Sequence, residues 1–398
     1  MIKVEMLSTG DEVLYGQIID TNAAWLADYF FEQGLPMSRR NTVGDSLEDL
    51  IAVLKERSEH ADILIVNGGL GPTSDDLSAL AAAKAAGVEL VEHEEWLLHM
   101  EKFFSERGRV MAPSNRKQAL IPANSEMIDN PVGTACGFAM QLNRCLMFFT
   151  PGVPSEFKAM VDRQIMPHLR ERFTLPEPPV CLRLTTFGRS ESELAQSLDL
   201  LTLPAGAVMG YRSSMPIIEL KLTGPASLRE EMEAVWPEVR RVAGESTIFE
   251  GTEGLPAQLA SRLKEKGLRI AVSEQFTAGL LCLQLAGAEA PLGNSSVLSP
   301  RSETLAEVTW RAKAEAAQAG CEIALVVSAL IEDHLSVALH TPTGTHGLRV
   351  MFNVNRHGLR TRQEVCAMMA LNMLRRWLNG WNVAAEHGWI NVAEAIEL

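Results

Sequence analysis

Residues 61–67 (ADILIVN) form a near-continuous apolar run that Gly68-Gly69 stops. A run of this length without polar alternation must be covered on both faces, the condition of a strand buried in a parallel sheet. It is followed by Gly68-Gly69-Leu70-Gly71-Pro72-Thr73-Ser74-Asp75-Asp76 and then by an Ala-rich stretch, 77–86, that reads as a helix. Strand, glycine loop and helix in this order predict an α/β domain. They place the loop at a strand's carboxyl end, where open α/β sheets bind ligands.

The flanking sequence extends the pattern. Residues 2–9 read as a strand and about 22–33 as a helix, with Leu26 and Phe30 on one face and Thr21 or Asn22 as its cap. Residues 137–142 and 145–149 read as strands turned at 142–144, and 155–166 as a helix. Strand–helix alternation predicts a mostly parallel sheet with helices on both faces. Pro167, Pro176, Pro178 and Pro179 mark a boundary near 170–180. Beyond it, strands at 180–186 and 217–222 with helices at 191–198 and 227–242 predict a small α+β unit. A second linker follows at 250–254. The remainder opens with a helix at Pro256, continues with a strand at 268–272 and a helical segment at 302–319, and ends in a long helix at 362–378. Three domains are predicted: 1–168, 176–247 and 255–398.

The chain has 398 residues and a formal net charge of -14. Nucleic-acid binding requires clustered Lys and Arg, so a broad nucleic-acid surface is excluded as an expectation. Small anionic ligands are not excluded, since local donors and metals bind them. The amino terminus lacks the basic and long apolar regions of a signal peptide, and no run reaches membrane-spanning length. The six cysteines form no CxxC pair. A cytoplasmic protein with reduced thiols and no membrane partner is the expectation.

The Gly68–Asp76 loop supports two readings. Glycines let a ligand approach the backbone, and a helix amino terminus offers free N–H groups to phosphate. The loop has no GxxxxGK[ST] pattern and contains no Lys or Arg, but it ends in two carboxylates. Acids beside a phosphate require a cation between them. This reading is a metal-bridged pyrophosphate, with Asp75 or Asp76 as ligand or base. In the other reading, Thr73-x-x-Asp76 is a capping box that only satisfies the helix start.

Other loops combine glycine with hydroxyls or acids: Ser8-Thr9-Gly10-Asp11-Glu12, Gly16 through Asp20-Thr21-Asn22, Asn130–Thr134, and Thr150–Glu156. Each has a plain structural role available, such as Asp20 capping a helix, but together they predict one shared crevice. The segments STGDEVLYGQIIDTN, GGLGPTSDD, NPVGTACGF and TPGVPSE resemble the amino-terminal domain of the CinA family, itself related to the molybdopterin-binding MogA and MoaB proteins. The match spans about residues 1–168. The resemblance implies a MogA-like three-layer α/β/α fold, a homodimer, and metal-dependent hydrolysis of ADP-ribose to AMP and ribose 5-phosphate. Under it Asp75, Asp76 and Glu156 are the candidate catalytic groups, and Asp75 and Asp76 hold a divalent ion such as Mg, Mn or Co. Thr9, Gly10, Asp20, Asn22, Gly68, Gly69, Gly71, Thr73, Gly133, Thr134 and Gly152 contact the nucleotide or its phosphates.

Residues 180–244 resemble the small KH-like connecting domain of the same family through Phe187-Gly188-Arg189-Ser190-Glu191-Ser192-Glu193-Leu194. RNA recognition by that fold needs a GxxG loop and positive charge. The segment has no GxxG and is acidic, so a spacer or dimerisation role is expected, with Arg189 a solvated loop residue. Residues 255–398 resemble the CinA carboxyl-terminal domain, whose intact members deamidate nicotinamide mononucleotide. Lys266–Ala271 and Glu274 match, but Gln275 and Phe276 stand where the family has Ser and Cys. The expected glycine-rich loop reads Ser328-Ala329-Leu330-Ile331-Glu332-Asp333. Without nucleophile, base and phosphate loop, no deamidase activity is expected. His334, His340, His346, His357 and His387 show no zinc spacing. Residues 368–381 read as a packed helix end, with Arg375 and Arg376 on a solvated face. The competing functions are deamidation of nicotinamide mononucleotide and a non-catalytic pterin or nucleotide sensor.

Overall fold

A computed structural model describes residues 2–352, 357–385 and 390–398. The chain divides into two compact units, 1–179 and 180–398. The first contains, in order, β1 (Val4–Thr9), α1 (Asp11–Leu14), α2 (Thr21–Glu32), β2 (Met37–Val43), α3 (Leu47–His60), β3 (Ile63–Asn67), α4 (Ser78–Ala86), β4 (Leu90–Glu92), α5 (Glu94–Ser105), β5 (Leu120–Pro122), β6 (Glu126–Ile128), β7 (Gly137–Leu142), β8 (Cys145–Thr150), α6 (Pro154–Met160) and α7 (Met166–Arg172).

Its main sheet has the order β2-β1-β3-β8-β7-β6. The first four strands are parallel, and β7 and β6 add antiparallel pairs. Alternate residues feed two cores. Met6, Ile65 and Phe148 pack with Leu26, Phe30, Phe157 and Met160 from α2 and α6. Leu7, Leu64, Val66 and Phe149 pack with Leu50, Leu54, Ala81 and Trp96 from α3, α4 and α5. This is the expected three-layer arrangement. The apolar run at 61–67 is buried because both of its faces are covered.

The second unit contains β9 (Val180–Phe187), α8 (Glu191–Leu198), β10 (Val208–Ser214), β11 (Ile217–Gly224), α9 (Arg229–Ala243), β12 (Thr247–Glu250), α10 (Leu255–Glu265), β13 (Ile270–Glu274), α11 (Leu280–Gly287), β14 (Leu292–Val297), α12 (Leu305–Ala319), β15 (Ile323–Val327), β16 (His334–Thr341), β17 (Gly344–Met351), α13 (Leu359–Leu378) and β18 (Asn391–Glu397). An antiparallel sheet, β10-β11-β9-β12, packs against α8 and α9 through Leu184, Leu220, Leu194 and Trp236. A mixed sheet, β14-β13-β15-β16-β17-β18, follows. Its main core takes in Phe187 and Ile248 of the smaller sheet, so the middle and carboxyl-terminal segments share apolar packing.

Several local expectations are corrected. Of the caps open to α2, Asp20 takes the role, accepting from the Ala23 amide at 2.9 Å, and Thr21 and Asn22 do not. Thr73-x-x-Asp76 is not the cap of α4: the helix begins at Ser78, and Leu77 at its start makes no side-chain cap bond. The strand expected at 268–272 runs Ile270–Glu274. Pro167 does not end a helix, because it falls in the first turn of α7 after a π-helical turn at Val161–Ile165. Arg189 does not stand free in solvent: it bonds the Val242 carbonyl at 2.7 Å and pairs with Glu193. Arg375 and Arg376 are buried, at 5% and 8% exposure. Burial pushes the Arg375 guanidinium down to about 10, with Arg376 beside it acting the same way. His387 lies outside the described residues.

One buried ion pair tests the layering. Arg57 of α3 meets Glu5 of β1 at 3.2 Å, with side chains 3% and 5% exposed. Breaking such a pair strands a charge in the interior. Arg57→Ala is expected to cost about 3–5 kcal/mol in urea unfolding. Glu5→Leu/Arg57→Met is expected to recover most of it, and an Arg57→Ala loss below about 1 kcal/mol would show that water solvates Glu5.

Candidate functional site

In the first unit β1 leads through α2 to β2 on one side, and β2 leads through α3 to β3 on the other. The chain therefore changes direction between β1 and β3, and the loops after β1, β3 and β8 converge at their carboxyl ends. A cavity of about 470 Å³ opens there.

The parallel register sets its floor. Ser8 lies opposite Asn67, and Asn67 opposite Thr150. Asn67 is buried; its amide donates to the Pro151 carbonyl at 2.7 Å and to Thr150 Oγ1 at 3.3 Å. Its oxygen accepts from Asn22 Nδ2 at 3.0 Å, and Asn22 also donates to the Gly152 carbonyl at 2.8 Å. These bonds orient the Asn22 amide, whose Oδ1 has no partner among the described residues. Asp20 accepts from Ser8 Oγ at 2.6 Å.

The loop after β3 needs its glycines. Gly69 has φ +69°, and a Cβ there would stand 2.3 Å from Ser78 Oγ. Among the described residues no hydrogen bond takes up the backbone N–H of Gly69, Gly71 or Gly152, all three of which line the cavity. These are donors available to an anion.

The acids divide by role. Asp76 accepts from the Thr73 backbone N–H at 2.8 Å and from its hydroxyl, which closes the loop. Asp75 is exposed, and the Thr73 hydroxyl is the main cause holding its carboxyl below the ordinary value. Asp45, following β2, exchanges backbone bonds with Asp11: each amide donates to the other's carboxylate, at 3.1 and 3.2 Å. Burial raises the Asp45 carboxyl, and the charges of Asp11, Glu12 and Asp75 push the same way against the Asp11 amide bond. Glu156 sits in the first turn of α6 and accepts from Asn130 Nδ2 at 2.7 Å. Asn130 Oδ1 in turn accepts from the amides of Val132 and Gly133. A Cβ on Gly133 would come within 2.2 Å of the Glu156 carboxyl.

Of the candidate residues, Thr9, Gly10, Asp20, Asn22, Gly68, Gly69, Gly71, Asp75, Asp76, Thr134, Gly152 and Glu156 line this cavity. Thr73 and Gly133 do not; they position Asp76 and Glu156. Asp45, Asn67 and Gln118 line it without having been anticipated. Asn67 was hidden as the last residue of an apolar strand. Asp45 follows a polar edge strand whose arginines, Arg39 and Arg40, face solvent. A smaller apolar pocket of about 240 Å³ shares Gly69, Leu70, Gly71, Asp76 and Gln118 with the first. Among the described residues, no group of three or more His, Cys, Asp or Glu is close enough to hold a metal by itself.

In the second unit the carboxyl ends of β13 and β15 are surrounded by the chain's own bonded polar groups. Glu274 is fully buried and accepts from the amides of Leu281 and Cys282 at the start of α11. Gln275 donates to Glu303 at 2.5 Å. Arg311 grips the same Glu303 through two bonds of 2.9 and 2.8 Å, and reaches Ser273 Oγ at 2.8 Å. Ser328 is buried and bonded to the Ala329 carbonyl and the Ser336 amide. Among the described residues no helix is long and apolar enough to cross a membrane, and the six cysteines are free.

Residues 5–171 match the family described as probable molybdopterin binding domain. Over all 398 residues the chain is 68% identical to a CinA-like protein of Shigella flexneri, covering the whole of both chains. The same identity and coverage hold for the NMN amidohydrolase-like protein YfaY of Escherichia coli K12. A crystal structure of the protein CinA, of unknown function, from Thermoplasma acidophilum is 30% identical over 42% of this chain and 96% of that one, with a TM-score of 0.39. Full-length identity at this level, with a MogA/MoaB-type domain at the amino terminus, places this chain in the CinA-like protein family.

Proposed function

We propose that the amino-terminal unit hydrolyses the pyrophosphate of a nucleoside diphosphate sugar, with ADP-ribose as substrate and AMP and ribose 5-phosphate as products. The observation that carries this reading is the pairing of unclaimed glycine N–H donors with carboxylates around one polar crevice. The adjoining apolar pocket suits a planar base. The unpartnered Asn22 Oδ1 suits a sugar hydroxyl, because a phosphate has no hydrogen to give it.

The carboxylates fit a hard divalent ion only as a shared one. Asp75 is exposed and Asp45 lies near enough to feel its charge, but among the described residues no third acid completes a cage. Mg²⁺ is commonly held this way, by one or two carboxylates, substrate phosphates and water. Mg, Mn or Co when bound supplies charge neutralisation for the pyrophosphate and a more acidic water. The glycine amides bind the phosphate oxygens, and Thr73 keeps Asp76 bracing the loop. Glu156, anchored by Asn130, accepts the proton as water oxygen bonds to phosphorus and the bridging P–O bond breaks.

For the carboxyl-terminal unit we propose no amidohydrolase activity. Its buried carboxylates, Glu274 and Glu303, already occupy the helix start and the arginine that would otherwise attract a ligand. The name of the Escherichia coli relative makes this a direct question for nicotinamide mononucleotide.

With Mg²⁺, Mn²⁺ or Co²⁺, purified protein is expected to release AMP from ADP-ribose. Asp75→Ala and Glu156→Gln are each expected to slow this by about 100-fold or more. Failure to form AMP with every metal would sink the hydrolase reading and favour a sensor. Gly133→Ala is expected to lower the rate while thermal stability is kept, since it displaces Glu156 without touching substrate. Nicotinamide mononucleotide is expected to yield no ammonia, and stoichiometric ammonia release would overturn the reading of the second unit.

A further inference from the structure

A second cavity, of about 380 Å³, lies within the 180–398 unit. Its wall is formed by β12, the first turns of α10 and the end of α13. Two guanidiniums stand on it, and neither is paired with a carboxylate among the described residues. Arg375 donates to Asn372 Oδ1 at 2.8 Å, the Thr247 carbonyl at 2.6 Å and the Glu245 carbonyl at 2.7 Å. Arg262 donates to Asn379 Oδ1 at 2.8 Å and the Leu378 carbonyl at 2.7 Å. The nearby acids are already engaged. Glu245 pairs with Arg376 at 2.7 Å, and Glu250 with Arg240 at 2.7 Å while accepting from Trp236.

The neutral bonds explain how Arg375 ties β12 to α13. They do not supply a counter-charge, and a buried guanidinium without one is costly. Each guanidinium has five N–H donors, so both retain unused ones. Thr247 Oγ1 is also buried, without a partner among the described residues. Phe249 and Trp381 add aromatic surface to the same wall.

We propose that this cavity binds a small aromatic phosphate monoester, its dianion held by Arg262 and Arg375 and its ring against Phe249 and Trp381. Guanidinium forks match phosphate oxygens in pairs, and two guanidiniums with no ion-pair partner among the described residues offer a phosphate dianion both charge and donors. In a chain of net charge -14, an anion needs such a local concentration of positive charge. The site is independent of the hydrolase reading.

Full-length protein carrying 5-fluorotryptophan tests this directly. The Trp381 resonance is identified by its loss in Trp381→Phe, and adenosine monophosphate is titrated to millimolar concentration. A saturable shift of that resonance is expected, unchanged in Asp75→Ala, which separates it from ligand bound in the first unit. Arg262→Gln removes one charge-assisted pair and is expected to weaken binding about tenfold or more. The other tryptophan lines report whether that variant folds. If it does not, Thr247→Val replaces it, and weaker binding is again expected. A Trp381 line that stays still, a shift lost in Asp75→Ala, or equal affinity in the folded Arg262→Gln or Thr247→Val protein would overturn the proposal.

Discussion

The amino-terminal crevice depends on one buried amide, that of Asn67. Its nitrogen holds the loop after β8 through the Pro151 carbonyl, and its oxygen holds Asn22 at the start of α2. Asn22 then returns to the Gly152 carbonyl, so the two loops are cross-linked twice. The parallel register makes this possible, because Ser8, Asn67 and Thr150 stand at the same level near the carboxyl ends of their strands. An apolar residue at 67 would leave the Pro151 carbonyl and the Asn22 amide short of partners in a dry setting, where each unsatisfied group costs about 1–3 kcal/mol.

Much of this was legible in the sequence, for physical reasons. An apolar run at 61–67 can only be a doubly covered strand, and glycine loops at carboxyl ends converge by topology. The candidate residues consequently include most of the cavity wall. What escaped detection lacks a local signature. Asp45 follows a strand, Met37–Val43, whose polar side chains mark it as an edge and mask it as a strand. Its relation to Asp75 exists only in three dimensions. Helix ends were misplaced where two acceptors competed, as at Asp20 against Thr21 or Asn22. Arg375 and Arg376 fell on the wrong side of the surface because charge alone predicts solvent. The Glu245 and Thr247 carbonyls hold Arg375, the Asn382 carbonyl and the Glu245 carboxylate hold Arg376, and these partners outweigh that preference.

The two units treat the carboxyl ends of their parallel strands oppositely. In the second, the chain satisfies its own attractive groups: Glu274 sits on the α11 amides, and Glu303 on Arg311 and Gln275. Both acids are buried, at 0% exposure for Glu274 and 6% for the Glu303 side chain, so a ligand would have to displace an internal carboxylate. In the first, the amides of Gly69, Gly71 and Gly152 have no acceptor among the described residues and face the cavity, so they stay open to solvent or to an anion.

The acids of that first crevice sharpen what the partner must be. Glycine amides favour an anion, yet Asp45 stands among acids: burial first, and then the charges of Asp11, Glu12 and Asp75, disfavour its ionisation. Thr73 withdraws one oxygen of Asp76 from this group by bonding it, and Lys117 bonds the Thr73 carbonyl while its charge acts on Asp75. Donors for phosphate and repulsion of phosphate therefore coexist within one cavity. A neutral ligand would leave the amides idle, and a bare pyrophosphate would meet the acids unscreened. An anion arriving with its own divalent cation would satisfy both sets of groups at once, which is why the proposed function is a metal-assisted one.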